Sequence, residues 1–181
     1  MARLVATTHL ESYQVLLEAY VVNERTNQVL LEHLHPRVWR RKPPAANRRT
    51  IAAIFAHLHN IRRKWLRLSA PHRRLPARLD HTRCTEREAR AALAESGQRC
   101  LEMLAHALTS SRVEKFLRDG WARPWPAGAA MVVYMISHEA HHRGQVCMLA
   151  HLLGFPLPGK VGGGIWNWEK LWRECGFTHP R

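Results

Sequence analysis

The stretch Ser137-His138-Glu139-Ala140-His141-His142-Arg143-Gly144-Gln145 places two histidines, His138 and His142, four residues apart inside a segment patterned for a helix. On a helix that spacing stacks the two imidazoles, offset by about 40° around the axis and about 6 Å along it. Both rings can therefore grip one metal ion. They also interrupt an apolar line: Met131, Met135, His138, His142, Gln145, Leu149 and Leu152 follow at steps of four and three, the rhythm of a helix packed in a bundle. A neutral imidazole buried without partners costs about 1–3 kcal/mol, so two in adjacent turns call for a compensating interaction, and a metal supplies one.

Working outward, the chain divides into long helical segments separated by breakers. From about Leu10 to Leu34, apolar residues such as Tyr13, Leu16, Leu17, Tyr20, Val21, Val29 and Leu30 recur at helical spacing with no internal Pro or Gly. Pro36, Pro43 and Pro44 end that pattern, and Thr50 is positioned as the N-cap of a second helix whose stripe runs Ile51, Ile54, Phe55, Leu58, Ile61, Trp65 and Leu68. After a loop from Pro71 to Cys84, Thr85 and Glu88 have capping-box spacing at the head of a third helix reaching about Leu108. Gly120, Pro124 and Pro126 fall in the next loop. The histidine helix then runs from about Ala129 to Leu153, where Gly154 and Pro156 stop it. No segment shows strand alternation. The pattern predicts an all-α, single-domain four-helix bundle over 1–181, whose core is a usual place for a metal site. A C-terminal extension from about 156 bends at Pro156, Pro158, Gly159 and Gly162-Gly163-Gly164. Its Trp166, Trp168, Leu171 and Trp172 predict a short helix docking on the bundle.

The 181 residues and 46% hydrophobic content suit one core. No membrane-length apolar run and no secretory leader pattern are present, so a cytoplasmic protein with no membrane partner is expected. Cys84, Cys100, Cys147 and Cys175 form no C-x-x-C pair and are expected to be free, mostly buried thiols. The net charge of +14 raises nucleic acid or an anionic substrate as partners. The basic residues are nevertheless spread over Arg37, Arg40, Arg41 and Lys42, then Arg48 and Arg49, then Arg62, Arg63, Lys64 and Arg67, then Arg73, Arg74 and Arg78. That dispersion favours a solvated basic surface over a nucleic-acid footprint.

A catalytic site needs at least one further ligand and an open position. The second helix offers His57 and His59, which lie about 100° to either side of Leu58, and periodicity does not choose between them. His-Glu-x-x-His is also the zinc protease signature, with Glu139 as general base. Its context is poor, because such enzymes align substrate along a sheet edge and take a third ligand downstream of the motif.

Thr50-Ile51-Ala52-Ala53-Ile54-Phe55-Ala56-His57-Leu58 and the distant His138-Glu139-Ala140-His141-His142-Arg143-Gly144-Gln145 resemble the DinB/YfiT-like superfamily of metal-dependent proteins. The resemblance extends to Asn23-Glu24 in the first helix and to Trp166-Asn167-Trp168-Glu169 ahead of Glu174-Cys175-Gly176-Phe177. It implies an up-down-down-up bundle and a divalent metal held by His57, His138 and His142, zinc or nickel foremost, with iron, copper or manganese as alternatives. His57 is preferred over His59 because an aliphatic residue follows it, as in that superfamily. Arg143 and Gln145 also match its positions. Gln145 faces the same way as His142 and could orient a ligand or water, while His141 falls off the ligand face.

Three neutral imidazoles leave the full charge on the ion, which suits Lewis acid chemistry. Relatives in the superfamily include transferases and isomerases that use thiols such as bacillithiol or mycothiol. The expected function is therefore a metal-dependent hydrolase or thiol transferase, with Glu139 and Gln145 as candidate catalytic groups. A small molecule, a low-molecular-weight thiol among them, is the expected substrate, and a homodimer is a candidate assembly. The competitor is a non-catalytic stress-response or nucleic-acid-associated binding protein. Trp121 and Trp125, ahead of the histidine helix, are expected to border the mouth of the pocket.

Overall fold

The structure, a computed structural model, describes residues 2–43, 49–109 and 129–177. Four long helices carry the fold: α1 (Ala2–His33), α2 (Ile51–Ser69), α3 (Glu86–Thr109) and α4 (Ala129–Leu152). Two short ones follow, α5 (Gly159–Gly164) and α6 (Trp168–Glu174), and no strand occurs among the described residues.

The helix ends are those the local chemistry dictates. The Thr50 side chain accepts from Ala53 N–H at the head of α2. At α3, Thr85 Oγ1 accepts from Glu88 N–H at 3.2 Å while the Glu88 carboxylate accepts from Thr85 N–H at 2.7 Å, the reciprocal capping box. Gly154 takes φ +83 just past α4, the left-handed conformation that favours glycine and turns the chain off the helix. Two boundaries depart from expectation. Helix α1 begins at Ala2 rather than near Leu10, since no Pro or Gly interrupts the earlier residues. The glycine-rich bend instead winds into α5, where Pro158 O accepts from both Val161 N–H and Gly162 N–H.

Cross-helix contacts settle the direction of each helix. Glu24 faces Gly97 and Gln28 donates to Arg90 O, so α1 and α3 run antiparallel. His59 meets Ala92 O and Arg62 meets Leu93 O, so α2 and α3 run parallel. His57 meets His142 edge-on and Trp65 meets His138 likewise, so α2 and α4 are antiparallel. The connectivity is up-down-down-up. The parallel pair α2 and α3 needs a long return, and α2 holds it down: Asn60 Nδ2 donates to Leu79 O, Leu79 N–H donates to Asn60 Oδ1, and Arg63 Nε donates to Pro76 O.

The buried residues form two apolar clusters. One gathers Leu30, Leu31, Phe55, Leu58, Leu93, Val146 and neighbours toward one end of the bundle. The other gathers Tyr20, Trp65, Leu66, Cys100, Leu104, Met131 and Met135 toward the opposite end. Between them lies a polar waist of Asn23, Asn27, Arg62, Ser96, Glu139 and Arg143, all buried, with Glu24 at its edge. Leu171 alone of α6 is buried, and an Arg25–Glu174 ion pair at 3.1 Å ties that helix to α1.

Gly97 gives α3 its close approach to the waist. A Cβ there would stand 3.0 Å from Glu24 Cδ and 3.2 Å from Arg62 Nη1. Gly97→Ala is therefore expected to destabilise the protein by about 1–3 kcal/mol, the usual cost of overpacking. Chemical denaturation measures it, and a variant as stable as the parent would show that the waist yields freely.

Candidate metal centre

The polar waist sets the rotation of α4. Arg62, fully buried, donates from Nε to Glu139 Oε1 at 2.7 Å and from Nη2 to Glu139 Oε2 at 2.7 Å and Glu24 Oε2 at 2.6 Å. Its Nη1 donates to Leu93 O at 2.9 Å. Asn23 and Asn27 each donate to Glu139 Oε2 at 2.7 Å and accept from Arg143 Nη1, at 2.6 and 3.0 Å. Two cations thus face two carboxylates, and every buried charge has hydrogen-bonded partners. Glu139 and Arg143 each follow a histidine, so anchoring these two side chains against α1 and α2 aims His138 and His142 along the neighbouring stripe.

Arg62 belongs by sequence to the basic run expected to be solvated, yet it is the largest fully buried side chain among the described residues. Burial tends to raise the Glu139 carboxyl, but attraction and hydrogen bonds from Arg62, with Asn27 and Arg143 adding, hold it below the ordinary glutamate range. Burial raises the Glu24 carboxyl, and Arg62 offsets this only in part. Glu139 therefore favours the fold above the ordinary glutamate pKa, a contribution lost as pH falls through its lowered value. Glu24 favours it below the ordinary pKa, a contribution lost as pH rises through its raised value. In a carboxyl-carbon NMR titration Glu24 is expected to take its proton well before Glu139. The reverse order would mean that Arg62 neutralises the other carboxylate.

On the adjacent stripe His57, His138 and His142 converge, their candidate ligand nitrogens all within 4.8 Å of one another. Ring centroids stand 5.6 Å apart for His57 and His138, 4.7 Å for His57 and His142, and 4.6 Å for His138 and His142. His142 is buried and the other two are half-buried, so the cluster lies within reach of solvent. Burial, with the nearby Arg49 charge and then His142 and His138, pulls the His57 pKa down to about 3. Burial likewise lowers His142. Both rings are therefore neutral near neutral pH, the state a metal requires of imidazole. Donor type, protonation and spacing fit a divalent ion after small ring rotations. Trp65 and Tyr134 flank His138 at 5.4 and 6.4 Å between centroids and supply an aromatic wall.

The remaining site expectations separate clearly. His59 is fully buried, with ring nitrogens 2.9 Å from Ala92 O and 2.7 Å from Ala77 O, and it braces the α2–α3 connection instead of joining the cluster. Both Glu139 oxygens are taken by Arg62, Asn23 and Asn27, so the general-base role of the protease reading finds no free carboxylate. Gln145 is exposed rather than part of the buried seam; its Oε1 accepts from His142 Nδ1 at 2.7 Å and its Nε2 donates to His141 Nε2 at 3.0 Å. Leu152 is likewise 61% exposed. Trp121 and Trp125 lie outside the described residues. Sequence reasoning missed Arg62, Asn27, Gly97 and the aromatic pair; the available signal was Arg62 standing four residues past Leu58 on the apolar stripe of α2.

Comparison with known proteins agrees with the fold. The model of the DinB family matches residues 7–164. A crystal structure at 1.70 Å of a candidate DinB-family member from Exiguobacterium sibiricum 255-15 superposes with a TM-score of 0.55 at 19% identity, covering 82% of this chain and 97% of that one. No curated protein matches the sequence.

Proposed function

The chain belongs to the DinB family, and from that premise we propose that it is a divalent-metal-dependent enzyme in which His57, His138 and His142 hold the ion. The observation that carries this reading is the convergence of three histidine nitrogens from two facing helices, with no carboxylate in the cluster among the described residues. When bound, the ion supplies Lewis acidity, lowering the pKa of a water or thiol. An imidazole donor set suits zinc, nickel, copper and iron alike, and zinc and nickel are the ions we assign first.

Within that reading the reaction class we assign is transfer of a low-molecular-weight thiol to an electrophile, with hydrolysis of a small molecule as the neighbouring possibility in the same chemistry. The protein's own cysteines support a thiol supplied from outside. Burial raises the pKa of Cys84, Cys147 and Cys175, and that of Cys100 to about 12, so none is a ready thiolate. His57 and His138 leave the cluster partly exposed, and the half-buried Tyr134 beside His138 gives an incoming apolar group a surface to lie against.

Elemental analysis of untagged protein, followed by a screen of small thiols against electrophiles, tests the proposal. Metal-loaded protein is expected to accelerate thiol transfer, metal-free protein is not, and Cys147→Ala and Cys175→Ala are expected to keep the activity. Transfer by the metal-free protein, or its loss in Cys147→Ala while metal stays bound, would place the nucleophile elsewhere.

A further inference from the structure

We propose that Gln145 fixes the tautomer of His142, so that Nδ1 carries the proton and Nε2 is the nitrogen His142 offers to a metal ion. The proposal rests on the metal reading of the three-histidine cluster and concerns one residue outside it.

The argument runs through hydrogen-bond polarity. A neutral imidazole has one N–H donor and one lone pair, and which nitrogen holds which is decided by the partner each meets. His142 Nδ1 lies 2.7 Å from Gln145 Oε1. A carboxamide oxygen only accepts, so Nδ1 must donate, and Nε2 is left as the ring's lone pair. The amide is a two-ended switch, however. Turned by 180° it would present its NH2 to His142, Nδ1 would have to accept, and Nε2 would carry the proton and lose its ligating capacity. In the structure the oxygen end of the amide faces His142 and the nitrogen end lies 3.0 Å from Nε2 of the exposed His141. The amide sense seen here is the one that leaves His142 Nε2 free to enter the cluster.

A glutamine does this without adding charge. A glutamate at the same position would accept from His142 equally well, but it would place a carboxylate one hydrogen bond from a ligand ring and offset part of the ion's charge. The neutral amide keeps the three-imidazole donor set at its full Lewis acidity.

Proton–nitrogen long-range correlation spectra of the metal-free protein report each histidine tautomer directly, and zinc titration against a chromophoric chelator reports affinity. The parent is expected to show His142 protonated at Nδ1. Gln145→Leu, similar in size and without polar atoms, is expected to lose that single tautomer and about 10–100-fold in zinc affinity, the usual consequence of removing an outer partner of a ligating histidine. Its melting temperature should not move, because the side chain is exposed. Gln145→Glu, which keeps the acceptor, is expected to restore the Nδ1–H tautomer and zinc binding. His142 protonated at Nε2 in the parent, or a Gln145→Leu protein with the parent's tautomer and affinity, would overturn the assignment. A parent that shows the Nδ1–H tautomer yet takes up no divalent ion would overturn the metal reading and leave the tautomer assignment intact.

Discussion

Glu139→Ala is expected to remove about 3–5 kcal/mol of stability, the cost of breaking a buried ion pair by deleting one partner. That is a large share of the about 5–15 kcal/mol by which a typical domain is stable. The substitution strips Arg62 of two hydrogen bonds and leaves the Asn23 and Asn27 amides without their common acceptor, all inside the bundle. Urea denaturation measures the loss. Replacing both partners, as in Arg62→Met with Glu139→Leu, is expected to recover part of it, because an apolar pair leaves no stranded charge. A Glu139→Ala protein that unfolds at the parent's midpoint would mean that water enters the waist and takes the carboxylate's place.

The second large effect falls on metal uptake. His142→Ala is expected to abolish stoichiometric zinc binding, with a loss beyond the about 10–100-fold typical of an outer partner, and His57→Ala and His138→Ala are expected to do the same. His59→Ala supplies the contrast. Its ring lies between Ala77 O and Ala92 O, so its removal is expected to lower the melting temperature and leave zinc affinity unchanged. Isothermal titration of the four variants decides the matter. Zinc binding retained by His57→Ala and lost by His59→Ala would transfer the ligand role between them.

The helices were legible because each carries its own evidence: apolar residues at helical spacing, Thr50 and Thr85 where caps belong, and Gly154 where α4 must stop. The His138/His142 pair was legible for the same reason, since four-residue spacing on one helix needs no knowledge of its neighbours. The choice between His57 and His59 was not. Both sit equally far from Leu58, and what separates them is the carbonyls of Ala77 and Ala92, supplied by other parts of the chain. Arg62 was hidden more deeply. Its compensating carboxylate is 77 residues away, and within its own helix it is one more arginine among Arg63, Lys64 and Arg67. Local patterns reveal local structure, whereas a buried charge is visible only together with its partner.

The division of the apolar interior into two clusters by that charged layer bears on how the sequence can change over evolutionary time. Substitutions around Leu31 and Phe55 meet one set of neighbours, and those around Leu66 and Leu104 meet another. Sites without shared partners combine additively. Each end of the bundle can then drift in its choice of Leu, Ile, Val or Met without demanding matched changes at the other. Arg62, Glu139, Asn23, Asn27 and Arg143 have no such freedom, because a change in any one strands the rest. The chain therefore holds two tolerant compartments joined by one intolerant seam, and that seam shares its turns of α4 with the histidines.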